Sequence, residues 1–528
     1  MSYEADEKGL DLKGKEGHGL IAEGYVMEQP DDFRAGIPDK LPISAWLIVL
    51  TEFCERFTYY GSSLIFTLYL RNILGVSKPK TTAIMKGFVA MCYSMTVLGA
   101  FVADQYLGKF KAIIAFGIWY NIGTILLSIT AIPSINKSFG FAGFMISSYL
   151  FIGIGTGGIK ANVSAYVAEQ IPVGFKETSV PGTYIDSRAT TERVYRYFYW
   201  SINMGAFLGM FICPVIRNSN EAKDRYAAAF VVPAALMVLC IVVFVSGKSK
   251  YYNKPITGSV MGKVIRCARY ALKNKQPGYT HWLDGSKGLQ NAEWDDKFVD
   301  GLRRSLNACK VFCFYPFYWA LYNNMTDNFI YQGVCMQHPS WLEADQLNLV
   351  NSVVLIIAIP IMDTFFFPFL RRRGIFMGPI KRIFIGFMIV VSGFVYVTII
   401  QKVVYSTGPY YDFQGDNVPD DPVNDIVIWW QLPAYMIVGI SEIFASVTGL
   451  EYAFSQAPAE LKSLLTALFL FTNFLGSLIG MALAPLSVDP LILWLFAGET
   501  VLMFIIGCTV FIFFRHVDEE VKSMQSYD

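Results

Sequence analysis

Apolar residues in this chain come in long, nearly unbroken stretches, without the two-residue alternation of a half-buried strand. Twelve such stretches approach the length a helix needs to cross a bilayer, about 20 residues. They span 45–70, 87–106, 112–133, 142–168, 197–215 and 227–245, then 311–334, 348–370, 383–400, 426–454, 463–485 and 491–514. The tenth is the weakest, because Pro433 interrupts it and Glu442 lies within it. The pattern predicts an all-α polytopic membrane protein with 12 transmembrane helices in two six-helix bundles. The expected divisions are an N-terminal tail (1–43), a first bundle (44–246), a polar linker (247–307), a second bundle (308–515) and a C-terminal tail (516–528).

Orientation follows from the preference of Lys and Arg for the cytosolic side. A cytosolic N-terminus puts Lys109, Lys111, Lys176, Arg188, Arg193, Arg196, the Arg371–Arg373 triplet, Lys381, Arg382 and the basic linker inside. Both termini are then cytosolic, with Arg71, Lys78 and Lys80 among the exceptions left outside. In the linker, Val260, Val264, Ala268, Ala271 and Leu272 share a helical face flanked by Lys263, Arg266, Arg269 and Lys273. That face fits an amphipathic helix on an anionic inner leaflet, and it equally fits a solvated, partly helical linker.

The first stretch breaks the apolar rule. It carries Glu52, Glu55, Arg56, Tyr59 and Tyr60, all on one helical face. A charge at mid-bilayer costs roughly 2.5–3.5 kcal/mol on insertion scales, so such a stripe is expected to pair or to line a watery pathway.

Composition supports a membrane class. The 528 residues are 54% hydrophobic and 16% charged, more apolar surface than a soluble core can hide. A net charge of +1 offers no basic domain for nucleic acid. The polar first forty residues lack an apolar signal core, so the first helix is expected to act as an uncleaved insertion signal. Nine cysteines form no metal-like cluster, which predicts neither disulfides nor zinc. The four histidines, His18, His281, His338 and His516, all fall outside the stretches, and no nucleophile–base set lies within them. An enzyme is not expected.

Two acid-then-basic turns occupy matching places in the halves: Asp104 with Gly108 and Lys109, and Asp363 with Arg371–Arg373 and Gly374. They resemble the signature loop of the major facilitator superfamily. Glu52-Phe-Cys-Glu55-Arg56-Phe57-Thr58-Tyr59-Tyr60-Gly61 resembles the ExxERFxYYG motif of proton-dependent oligopeptide transporters. Phe198–Gly205 resembles that family's FYxxINxG signature, and Gly155–Asn162 its glycine-rich fourth helix with one lysine, Lys160. Phe314–Trp319 and Gly449–Pro458 are similar to the fungal branch.

The residue types suit a zwitterion. A small peptide presents an ammonium and a carboxylate, so a dry site needs fixed charges of both signs. Arg56 and Lys160 read as the two cations of the first half, arginine being able to bind a carboxylate bidentately. Glu442 is the anion of the second half, with Ser446 one turn later. The resemblance implies the same roles, with Tyr60, Tyr93, Asn203 and Asn351 as polar lining and Trp319 as an aromatic wall. Plainer roles exist for each. Tyr60, Tyr93 and Trp319 also fit an aromatic core, Asn203 interhelical hydrogen bonding, and Glu52 with Arg56 a structural ion pair. Lys160 has no acidic neighbour in its own helix and must find one elsewhere. Asp104, Asp363, Glu451 and Glu499 read as structural or helix-end acids.

Many family members carry a glutamate in the seventh helix that is implicated in proton coupling; here Asn323 and Asn324 stand in that region, followed by Asp327. The expected proton-coupling set is therefore Glu52, Glu55, Arg56 and Lys160, with Asp327 either a substitute or a cap on a local helix break. The function implied is proton-coupled import of di- and tripeptides across the plasma membrane, with the proton as coupling ion and no cofactor. Transport of another small anion such as nitrate, or a non-transporting nutrient receptor, are the alternatives.

Overall fold

Inside a bilayer every backbone N–H and C=O must find a partner within the chain, which forces apolar stretches into helices. The computed structural model describes residues 20–525 except 21, 23, 28–29, 31, 33–34, 221–223, 255, 257–259, 275–280, 290–291, 374–376, 414–417, 420 and 457–460. Of the features expected above, His18, Gly374, Ala457 and Pro458 lie outside the described residues, as do the side chains of Arg188, Asp363, Arg371 and Arg372.

The first bundle comprises α1 (43–73), α2 (Lys78–Leu107), α3 (Lys109–Thr130), α4 (Pro133–Glu169), α5 (Ser187–Arg217) and α6 (Tyr226–Ser246). The second comprises α7 (315–334), α8 (Ala344–Phe366), α9 (Pro379–Ser406), α10 (Ile428–Ala453), α11 (Leu464–Leu486) and α12 (Leu491–Gln525). Among the described residues, ten of these twelve helices are long and apolar enough to cross a membrane, and α1 and α7 fall short. Charge explains α1. An interruption explains α7, where Asn323–Thr326 tighten into a 3₁₀ turn and Asp327 leaves helical geometry. The Asp327 carboxylate accepts the Asn328 N–H at 2.6 Å, so the capping role holds.

Proline marks several helix starts, where its missing N–H costs nothing. Pro79, Pro133, Pro316 and Pro379 all sit in first turns. Within α10, Pro433 sits where a 3₁₀ turn, Ile428–Gln431, gives way to regular α-helix at Leu432, a local change of helix type at the expected place.

The buried apolar residues form two large cores, one drawn from residues 45–251 and one mainly from 267–510. Between bundles, α2 packs on α11 and α5 on α8. Within the first bundle, glycines let α2 and α4 cross closely: a Cβ on Gly99 would lie 2.5 Å from Gly158 Cα. Overpacking of this kind typically costs 1–3 kcal/mol. Gly99→Val should therefore lower the thermal unfolding midpoint of purified protein, and an unchanged midpoint would contradict the close crossing.

Described residues of the N-terminal tail pair with the first bundle. β1 (Tyr25–Val26), β2 (Ala35–Ile37), β3 (Phe175–Glu177) and β4 (Thr183–Asp186) form a sheet in the order β1-β3-β4-β2. Tyr25 pairs antiparallel with Lys176, and Ala35 parallel with Thr183. The linker folds as helices Val260–Lys273 and Asp296–Phe312. Cys267 and Ala271 are buried in the second core, and Val260 and Val264 pack against it, while Leu272 is exposed. Part of the face thus packs on protein, and Leu272, with neighbouring Ile265, points outward.

Candidate functional site

One cavity of about 2700 Å³ runs between the bundles. It starts at Glu52, Arg56, Tyr60, Lys160 and Asn203 and widens past Asp104 and Lys109 to Lys248, Lys254 and the linker residues Lys263 and Arg266. Its other wall comes from the second bundle, including Leu355, Ile359, Leu450 and Thr466. The cavity therefore opens at the end of the molecule that carries the linker.

Charge distribution explains why that end is open and the far end shut. Among the described residues, ion pairs between the bundles occur at the far end. There Arg71 holds Asp421 at 2.6 Å, Lys78 holds Asp489 at 3.1 Å, and Arg217 on α5 grips Asp345 on α8 through both guanidinium nitrogens. Near the linker, the described pairs Lys109–Glu169 and Arg382–Glu451 stay within one bundle and leave the two free to part. Arg71 and Lys78, exceptions to the expected charge bias, thus have specific partners across the bundle interface.

At the closed end of the cavity sits the acid–base stripe. Glu52, Glu55 and Arg56 are 4%, 0% and 3% exposed, so their charges must satisfy one another. Arg56 Nε donates to Glu55 at 2.5 Å and lies 3.1 Å from Glu52 Oε1, and a second Arg56 nitrogen meets Glu55. The other Glu55 oxygen accepts the Thr156 hydroxyl at 2.7 Å. One guanidinium bridges two carboxylates.

Lys160 behaves otherwise. Its ammonium donates to the Tyr93 hydroxyl at 2.9 Å and lies 4.1 Å from that ring's centre. Among the described ion pairs none includes Lys160, so the acid it was expected to find is an aromatic hydroxyl instead. A phenol satisfies the ammonium without neutralising it, leaving a positive charge on the cavity wall.

Glu442 lies behind the wall. Its Oε2 accepts the Tyr322 hydroxyl at 2.9 Å and the Asn351 amide at 3.4 Å. Lys160 acts on it electrostatically from the other bundle, and Glu442 in turn acts on Tyr60 and Tyr93. The expected residues thus divide in two. Glu52, Arg56, Tyr60, Lys160 and Asn203 line the cavity; Tyr93, Trp319, Asn351, Glu442 and Ser446 do not border it. Trp319 is packed in the second core, its indole N–H donating to Thr472 at 3.0 Å. The Asn203 amide donates to the Tyr199 carbonyl, in keeping with a partly structural role. Ser446 falls within a widened π-type turn, Ile443–Val447, which disturbs the one-turn stacking expected beneath Glu442.

Three buried charges between the bundles escaped the sequence reading. Lys86 on α2 is 2% exposed and lies 3.2 Å from Asp327, and Arg217 and Asp345 are 1% and 0% exposed. Arg56 and Lys160 are therefore not the sole cations buried in the first bundle. Of the two readings of Glu499, structural or helix-end, the first fits: it is buried within α12 and accepts the Asn324 amide at 2.8 Å. Hydropathy ended the stretches one or two residues short of Lys86 and Arg217. The available signal was a lone charge abutting an apolar run.

Comparison with known proteins gives this geometry its family. The POT family profile matches residues 110–500. The chain is 36% identical over 519 residues to Peptide transporter PTR2 of Saccharomyces cerevisiae, covering 96% of this chain and 84% of the relative. It is 38% identical over 500 residues to Peptide transporter PTR_B of Candidozyma auris, covering 90% and 83%. Among solved structures, an auto inhibited POT family peptide transporter matches with TM-score 0.73 and 22% identity, over 90% of this chain and 97% of that one. That likeness carries the fold, and the sequence matches carry the membership. The chain belongs to the POT family of multi-pass membrane transporters, the proton-dependent oligopeptide transporters whose motifs its helices resemble.

Proposed function

We propose that this protein imports di- and tripeptides together with protons across the plasma membrane, by alternating access of the bundles 44–246 and 308–515. The observation that carries the reading is Arg56 tied to two buried carboxylates at the closed end of a cavity open toward the linker. With the linker cytosolic, this is the state after peptide and proton have left. Deprotonated Glu52 and Glu55 then occupy the arginine that a substrate carboxylate needs.

The cycle follows from that competition. On the far side, outside, a proton reaching Glu52 or Glu55 weakens its hold on Arg56 and frees guanidinium N–H groups for the peptide carboxylate. Lys160, already without a carboxylate partner among the described residues, adds a second positive charge at the same end of the substrate. Glu442 takes the peptide ammonium once Tyr322 and Asn351 release it, and a zwitterion held by both bundles draws them together. Tyr60 and Asn203, which line the cavity, supply polar contacts to the backbone; Tyr93, Ser446 and the flat face of Trp319, set back from it in this state, join them when the bundles close on the substrate. The inside is less acidic, so the proton leaves and Arg56 returns to its acids. A proton gradient supplies about 1.4 kcal/mol per pH unit, and the membrane potential about 2.3 kcal/mol per charge per 100 mV.

Glu442→Gln tests the substrate. It should weaken competition by dipeptides with a free amino terminus about 10-fold or more, the scale of one buried charge-assisted hydrogen bond. Anions without an ammonium should be unaffected. The measurement is competition for a labelled dipeptide by dipeptides, amino acids and nitrate at two external pH values. Nitrate competing in the wild type, with the variant unchanged toward dipeptides, would favour an anion carrier. Uptake against a gradient that ignores a protonophore would overturn symport.

A further inference from the structure

A second cluster of buried charge lies at the far end of the molecule, away from the cavity lining. Lys86 comes from α2, Asp327 from the break in α7, and Glu499 from α12, with exposures of 2%, 0% and 5%. Lys86 Nζ is 3.2 Å from Asp327 Oδ2, and Lys86 and Asp327 both act electrostatically on Glu499. The Asn324 amide donates to Glu499 at 2.8 Å, its own oxygen accepts from Asn328 at 2.6 Å, and the Asn328 N–H donates to Asp327. Asn324 is thereby oriented from both sides.

The count of charges does not close. One ammonium faces two carboxylates in a place sealed from water, and the other titratable or charged groups described around them do not mend this. Those are Tyr331 on α7, whose hydroxyl donates to the Lys78 carbonyl, Tyr435 on α10, and Arg71 stacked on the Tyr331 ring. A surplus buried negative charge is costly unless a proton neutralises it. Lys86 and Asp327 form the close pair, which leaves Glu499 as the place for that proton.

The three groups also belong to different bodies. Lys86 moves with the first bundle, and Asp327 and Glu499 with the second. When the far end opens, Lys86 withdraws and water reaches both acids, which can then ionise as ordinary carboxylates. When it closes, Lys86 returns to Asp327 and the surplus charge must take up a proton.

We propose that Glu499, with Lys86 and Asp327, forms a second proton-binding site, and that closure of the far end takes up one proton at Glu499. The proposal rests on the transporter reading and adds to it a site outside the Glu52–Glu55–Arg56 group. Acid outside then favours closure even before the central acids are counted.

The test places distance labels at Asn220 and Trp341, exposed residues of the α5–α6 and α7–α8 connections, in proteoliposomes. Pulsed electron resonance across a pH series gives the ratio of open to closed far ends. One linked proton changes this ratio tenfold per pH unit. Glu499→Gln should lose that factor of ten per unit from the wild-type slope and favour closure. Lys86→Met should steepen the slope by the same factor, because two acids then need two protons, so a general loss of packing cannot mimic both results. A Glu499→Gln slope equal to wild type overturns the proposal, as does a Lys86→Met slope that is unchanged or shallower. A wild-type ratio with no pH dependence would overturn it too, whereas loss of proton-driven uptake is what would count against the transporter reading on which it rests.

Discussion

Arg56→Gln should reduce proton-driven dipeptide uptake by about 100-fold or more, with the protein still reaching the membrane. Two carboxylates, Glu52 and Glu55, lean on this one guanidinium in a pocket almost without solvent. Removing one partner of a buried ion pair costs 3–5 kcal/mol, because the charge left behind has nothing to replace it. At 1.4 kcal/mol per factor of ten, that range corresponds to roughly 10²–10³. Arg56→Lys separates charge from shape, since an ammonium keeps the sign but loses the planar fork that spans two acids. It should recover part of the loss. Initial rates of labelled dipeptide uptake in proteoliposomes, normalised to protein, decide the matter, and near-normal rates for Arg56→Gln would remove the central ion pair from the mechanism.

Asp345→Asn should have an effect of similar size on conformation. Arg217 is 1% exposed and grips Asp345 at the far end, where α5 meets α8. In this structure that end is shut; parting the bundles there would separate the pair and let water solvate both groups. Without the carboxylate the closed state holds an unpaired buried charge and the open state does not. An equilibrium shift of about 10²–10³ toward far-end opening follows from the same 3–5 kcal/mol. The reciprocal exchange, Arg217→Asp with Asp345→Arg, should restore closure in part. Accessibility of a reporter placed on Asn203, at the closed end of the cavity, to an impermeant reagent from each side of the membrane measures the shift. An unchanged pattern in Asp345→Asn would mean that the pair has no gating role.

Much of this architecture could be read from periodicity alone, because a bilayer leaves an apolar run of 20 residues few options. The stripe on α1 was equally visible, since three charges in one apolar helix demand an explanation. What hydropathy could not show was partnership. Lys86 and Arg217 looked like residues at the ends of stretches, and Asp345 looked like loop, yet all three are buried because charges on the opposite bundle meet them. Glu499 reads as structural or helix-end from the sequence, and its partner, Asn324, is hidden there because it lies 175 residues away. Tyr93 shows the opposite failing. A lysine in an apolar helix argues for an acid, and the packing of α2 against α4 supplied a phenol instead. The place of Ser446 beneath Glu442 depends on helix regularity, and the wider turn at Ile443–Val447 is not legible in periodicity.

The strand pairing of residues 25–26 and 35–37 with 175–186 has a practical corollary. This part of the leader is fastened to the half of the transporter that carries Arg56 and Lys160. A fluorescent reporter or nanobody epitope inserted beside it would ride with that half as a rigid passenger. Paired with a second reporter on the helix Asp296–Phe312, which packs with the other half, it would turn each transport stroke into a change of separation visible from the linker side, without touching any residue within the apolar spans.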